Sequence, residues 1–197
     1  MAHATEARGP HAFGFAWIDD AGRLRSFKQG GRITDCLGIL GMARRARLLI
    51  GHCRYATHGS PADNENNHPH PADGGWYVHN GVIPAHGRLA HRYGLQLQTE
   101  CDSELIGKLV ETGRGTILAR CREAARICSA GPYAMLGLWS RPDRLVVARA
   151  GNPLHYGEDD TGIYFGSLRG GLPGNPVAFP DRTLSVFSPR GNTHAAL

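Results

Sequence analysis

The order of structural signals along the chain predicts an α+β fold built from largely antiparallel sheets. Residues 13–18 and 24–29 read as two strands joined by the turn Asp19-Asp20-Ala21-Gly22. The middle of the chain, 83–130, carries helix starts and stops. From Pro132 onward only strand-like runs and hairpin turns occur. Strands, then helices, then strands again point to sheets with segregated helices rather than to an alternating, doubly wound sheet. At 197 residues, the length suits one domain with a real core, 1–197, whose last stretch from Gly170 is a loop-rich extension.

Taken in order, residues 1–8 look like the last turns of a helix that stops at Gly9-Pro10. Asp35 is placed to cap a short helix running to Arg47, and 48–57 form the next strand. A polar segment over 60–75, rich in Asn, His, Pro and Asp, is long for a loop in a compact domain, and such loops are often functional. Residues 76–79 read as a short strand, and Asn80-Gly81 as a turn. A helix over 83–93 ends at Gly94. Asp102-Ser103 opens a second, over 104–111, and Thr116 a third, to about residue 130. The strands that follow are 133–139, 144–150, 154–156, 163–165 and 184–187.

The net charge is +5, yet the positive residues are scattered arginines, with only Lys28 and Lys108 as lysines. The one cluster, Ala43-Arg44-Arg45-Ala46-Arg47, has no interleaved aromatics, so it reads as a solvated face rather than a nucleic-acid site. No apolar run is long enough to span a membrane, and no signal peptide is evident. Five cysteines without a C-x-x-C pair argue against a disulfide framework and for a reducing, cytoplasmic compartment. His68-Pro69-His70 is neither a helical i, i+4 pair nor a Cys/His cluster of the kind zinc sites prefer, so no metal and no other cofactor is expected.

The chemistry-bearing residues cluster at element ends. Gly51 to Gly59, G-H-C-R-Y-A-T-H-G, runs from an apolar strand into a fixed cation, Arg54, and a glycine turn. A guanidinium takes a carboxylate by two parallel hydrogen bonds. Asp102 suits an ammonium, and together the two match a free amino acid. Asn80-Gly81 sets a side-chain amide beside an unobstructed backbone N–H, the makings of an oxyanion hole. Read alone, Asn80-Gly81 is an ordinary turn and Asp102 an ordinary helix cap.

R-Y-A-T-H-G, N-N-H-P-H, V-H-N-G-V-I, D-S-E-L-I, G-P-Y-A and A-R-A-G-N-P-L follow one another in an order and spacing that resembles the class II glutamine amidotransferase domain. Within that family the likeness is greatest to the glutaminase half of the glucosamine–fructose-6-phosphate aminotransferases. Arg8-Gly9 followed by Gly14-Phe15-Ala16 is similar to the family's early R-G-x-x-x-x-G segment. The resemblance covers about residues 8–167. It implies a four-layer αββα fold of the N-terminal-nucleophile hydrolase type and the hydrolysis of L-glutamine to glutamate and ammonia. It also implies roles for single residues. Arg54 would bind the glutamine carboxylate and Asp102 its amino group. Asn80 and the Gly81 N–H would form the oxyanion hole, with Tyr55, Thr57 and His58 lining the site.

In that family the nucleophile is a cysteine at the mature N-terminus, with its own α-amine as the base. The sequence has no matching segment. Cys53 is next to Arg54 and on a strand would face the other way. Cys101 adjoins Asp102 but carries no free amine. The resemblance therefore implies an N-terminally incomplete domain, short of its first strand and most of its first helix, and inactive as written. The two leading expectations are an amidotransferase domain that feeds ammonia to an unknown acceptor, with a separate synthase subunit as the candidate partner, and a non-catalytic amino-acid-binding or regulatory protein on the same fold.

Overall fold

A computed structural model describes residues 2–197 of the chain. Helix α1 (Ala2–Glu6) leads into β1 (Ala12–Asp19), β2 (Leu24–Gly30), a 3-10 segment (Ile33–Ala43) and β3 (Ala46–Arg54). A short 3-10 turn (Asn64–Asn66), β4 (His70–Ala72) and β5 (Gly75–Gly81) follow. Helices α2 (His86–Arg92), α3 (Glu104–Thr112) and α4 (Ile117–Cys128) then lead to β6 (Tyr133–Trp139) and β7 (Arg144–Ala150). The chain ends with β8 (His155–Asp159), β9 (Gly162–Gly166), β10 (Val177–Ala178), β11 (Thr183–Phe187) and β12 (Thr193–Ala196).

These strands make three antiparallel sheets: β2-β1-β3, β10-β8-β9, and a six-stranded sheet in the order β12-β11-β7-β6-β5-β4. The alternation of side chains along β6 explains how they stack. Tyr133, Met135 and Trp139 face α3 and α4, packing with Leu105, Ile106, Val110, Cys121 and Ala125. Leu136 and Leu138 face the other way. There Leu138 and Val78 of β5 meet Ala16, Ile18 and Ile50 of the β2-β1-β3 sheet. That sheet's far face packs Phe13, Phe15 and Trp17 against Ile33 and Ala43 of the 3-10 segment. Helices, sheet, sheet and helical segment give the α+β sandwich expected. Because both faces of β6 are covered, it reads as an unbroken apolar run.

The second small sheet lies on the same face of the six-stranded sheet. Phe165 of β9 and Phe179 pack on Ala134 and Val147, and Leu136 and Leu145 touch this cluster as well as the first. Strands β3 and β9 are each the outer strand of their sheet. Both border the cavity described below.

Several expectations need correction. Residues 33–43 form a 3-10 segment broken at Cys36 rather than an α-helix, because Gly38 and Gly41 weaken the helical preference. The position before it is Arg32, not Asp35, and it makes no side-chain cap. Strand β3 stops at Arg54, leaving 55–57 outside it. Asn80-Gly81 is no turn: it is the end of β5, paired with Ala134 and Tyr133, so the β6 partner overrides a local turn preference. Helix α2 starts at His86, after Pro84 and Ala85, whose φ of 56° lies in the left-handed region. Thr116 caps α4 as expected, accepting from the Ala119 N–H. Strands β4, β10 and β12 were not foreseen. The expected first helix included Met1, which lies outside the described residues.

Candidate active site

The strand and helix ends converge on a cavity of about 1050 Å³ between the sheets. Arg54, Tyr55, Thr57, Asn80, Gly81 and Asp102 all line it. His58 stands at its margin, with its Nδ1 3.9 Å from Asp102 Oδ1. The geometry thus gathers the seven residues singled out in the sequence, although they come from β3, the loop after it, β5 and the start of α3.

Arg54 is the last residue of β3 and is only 3 % exposed. Its Nη1 donates to Asn67 Oδ1 at 2.9 Å, and its Nη2 donates to the carbonyls of His58 and, at 3.2 Å, Gly59. A guanidinium has five N–H groups. Three hold the loop, so two are left for an anion. The loop is held from its other side too: Asn67 Nδ2 donates to the Pro61 carbonyl, and Asn66 Oδ1 accepts from the Glu100 N–H. The polar segment is therefore an internal plug, with Asn66, Asn67, His68 and His70 all buried. It reaches this depth because β1 has Gly14 beneath it. A Cβ there would lie 2.2 Å from the His68 carbonyl.

Asp102 is buried, and it does not cap α3. Its Oδ2 accepts from the Ile83 N–H at 2.6 Å, pinning the segment that follows β5. Oδ1 accepts a long hydrogen bond from Cys101 Sγ and has His58 Nδ1 beside it, each at 3.9 Å. The helix start is fixed instead by Tyr77. Its hydroxyl donates to the Ser103 carbonyl at 2.7 Å and accepts from the Gly107 N–H at 3.0 Å. That role was not visible in the sequence, because it depends on which strand lies beneath α3.

Asn80 shares the inner face of β5 with Val78, two residues earlier. Its carbonyl accepts from the Asn152 side chain. Gly81 is needed for space: a Cβ there would lie 2.4 Å from the Pro132 carbonyl and 2.7 Å from His79 Nε2.

Of the five cysteines, Cys53 and Cys101 border the cavity and Cys36, Cys121 and Cys128 do not line it. Cys53 packs with the 3-10 segment and lies 3.5 Å from Thr5 Oγ1, on the face opposite Arg54, as strand alternation requires. Burial pushes its thiol up, and likewise that of Cys101. Cys121 and Cys128 are core residues of α4 with thiols pushed up to about 12 by burial. Cys36 lies in the 3-10 segment, its Sγ 3.7 Å from the Arg32 carbonyl. A group of imidazoles sits beside the cavity: the His52 and His68 rings lie 4.3 Å apart, tilted at 45°, and those of His68 and His70 lie 4.7 Å apart, edge to face. Burial holds them neutral, with His52 lowered to about 4 and His70 and His79 to about 3.

Sequence and structure comparisons place this geometry among known proteins. No protein-family model matches the chain. The chain is similar to the glutamine–fructose-6-phosphate aminotransferase of Aquifex aeolicus, 35 % identical over 160 residues. It is similar also to that of Aeropyrum pernix, 37 % identical over 161. Each alignment covers 77 % of this chain and 26 % of the relative, so the chain spans about a quarter of the length of the curated relatives it matches. Among solved structures, the fold resembles glutamine phosphoribosylpyrophosphate amidotransferase from B. subtilis, with a TM-score of 0.80. Identity there is 21 %, over 98 % of this chain and 44 % of that one. It also resembles a glutamine aminotransferase class-II domain protein from Silicibacter pomeroyi, with a TM-score of 0.64 and 15 % identity, over 94 % and 90 % of the two chains.

Proposed function

We propose, for a chain that is a domain of the class II glutamine amidotransferase type, that its cavity binds L-glutamine and serves the release of ammonia from the side-chain amide. One observation carries this reading: a guanidinium with two spare N–H groups, a buried carboxylate whose Oδ1 holds just a long thiol hydrogen bond, and the Asn80-Gly81 pair open onto the same cavity. In this reading Arg54 takes the substrate carboxylate and Asp102 Oδ1 the ammonium. Asn80 Nδ2 and the Gly81 N–H receive the oxyanion that develops when the amide is attacked. Tyr55 and Thr57 line the pocket around the substrate, with His58 at its margin beside Asp102. Cys53 and Cys101 border the cavity, but burial pushes both thiols up, so this reading takes its attacking thiol from elsewhere. We place it on an additional strand between the open edges of β3 and β9, and the whole chain 1–197 then acts as a single amidotransferase domain. A synthase subunit that takes up the ammonia completes the scheme.

A second reading has specific support in the cysteine positions: an amino-acid-binding or regulatory protein that uses the same recognition groups without chemistry. Isothermal calorimetry with L-glutamine tests what the two readings share. Saturable binding that is lost in Asp102→Asn supports both, and an absence of heat with the folded wild-type chain removes both. Glutamate release then separates them. Turnover by the chain joined to a Cys-initiated strand identifies an amidotransferase, and binding without turnover in that form identifies a binder.

A further inference from the structure

We propose that His68, His70 and Cys101 form a binding site for one divalent transition-metal ion of the zinc class. Their ligand atoms all lie within 4.8 Å of one another. The three residues are 4 %, 1 % and 2 % exposed. Both ring nitrogens of His68 and Nε2 of His70 are buried without a hydrogen-bond partner. Such atoms are costly to keep, and native interiors rarely leave them unpaired. Here several converge on one point beside a thiol, and a single ion relieves that cost at both rings.

The chemistry of the donor set selects the ion. Two neutral imidazoles and one thiolate suit zinc, cobalt or another borderline-soft cation, and they do not suit calcium or magnesium. His70 is fixed by the pairing of β4 with β5, opposite Tyr77. His68, two residues earlier, extends from the same segment, and Cys101 precedes α3. Bond lengths of about 2.0–2.1 Å to nitrogen and 2.3 Å to sulfur require the ligand atoms to close in by roughly 1 Å, within reach of side-chain rotation. On binding, the Cys101 thiol loses one proton to solvent and its sulfur becomes the third ligand. His68 and Cys101 both border the cavity, so a water from it completes the shell. His52 Nδ1 and His79 Nε2, also buried without partners, ring the site. Asp102 places negative charge beside Cys101, while Lys28 and Arg54 place positive charge beside His70. No local motif announces such a site: the third ligand is far from H-P-H in sequence and reaches it only through the fold.

The test uses the full chain, freed of metal with a chelator and titrated with Co²⁺ alone and then Zn²⁺ alone. The expected result is one cobalt per chain, with a thiolate-to-cobalt charge-transfer band in the near ultraviolet that zinc displaces and that Cys101→Ser abolishes. No band, or a band that persists in Cys101→Ser, overturns the proposal. Should that variant fail to fold, X-ray absorption on the wild-type zinc complex decides. One sulfur at about 2.3 Å with imidazole nitrogens at about 2.0–2.1 Å supports it, and a shell without sulfur or imidazole overturns it. Glutamine binding is measured separately on the metal-free chain, so failure of one proposal leaves the other standing.

Discussion

Asp102 shows how one side chain joins fold to recognition. Its Oδ2 organises the backbone after β5 by holding the Ile83 N–H, and its Oδ1 is left facing the cavity. Substitution by asparagine separates the two tasks. The amide oxygen still accepts from Ile83, but the negative charge is gone. Removing one partner of a buried charge pair costs about 2–5 kcal/mol. Glutamine affinity in Asp102→Asn is therefore expected to fall about 30-fold or more, while the urea midpoint moves little. Calorimetry paired with urea denaturation reads both. Tyr77 is the structural counterpart. Its hydroxyl is inserted between the Ser103 carbonyl and the Gly107 N–H, a pair four residues apart at the start of α3. Tyr77→Phe strips both groups of this partner in a fully buried place, at an expected cost of about 1–3 kcal/mol in urea denaturation.

Elements reveal what was legible in the sequence and what was not. The strand and helix order was readable because apolar runs and turn residues are local signals. Arg54 and Asp102 were readable because each ends or precedes an element and so falls at a sheet rim. Asn80-Gly81 was read as a turn because its residues prefer one, but the β6 ladder extends that far and keeps it extended. Strands β10 and β12 exist only through their partners β8 and β11. The link between α1 and the 3-10 segment was equally hidden. Glu6, at the end of α1, accepts from the Thr34 N–H at 2.8 Å and from Arg32 Nε and Nη2 at 2.9 and 2.8 Å. These bonds, the Thr34 N–H above all, lower its carboxyl from an ordinary 4.5 to about 2. The folded state thus binds this proton more weakly than the unfolded chain. The link contributes fully above about pH 4.5, and its contribution is lost as pH falls from there toward 2. In Glu6→Gln that dependence is removed. The gap between wild-type and variant melting temperatures should shrink steadily as pH drops through this window. A gap constant with pH would show that Glu6 titrates normally.

At the scale of the whole molecule, the six-stranded sheet supports two small sheets on one face, and the cavity occupies the ground between them. No helix among the described residues is long and apolar enough to cross a membrane. The buried apolar residues lie in the helical layers and on this inner face. The inner face is uneven in how it is used. Leu138 is fully buried where β6 meets the β2-β1-β3 sheet. Leu136, two residues earlier on the same face, lies between the two small sheets and lines the cavity. Truncating a leucine in a packed core costs about 2–5 kcal/mol, because a hole is left that neighbours cannot fill. At Leu136 the cavity is already there, so fewer contacts are lost. Urea denaturation of Leu138→Ala and Leu136→Ala should place the first in that range and the second at less than half of it. Joining an additional strand to the chain should raise the cost at Leu136 toward that at Leu138, since the strand would bring packing partners to it. Equal costs in the unmodified chain would mean that the two small sheets close over Leu136 in solution, and that no room for a strand exists between β3 and β9.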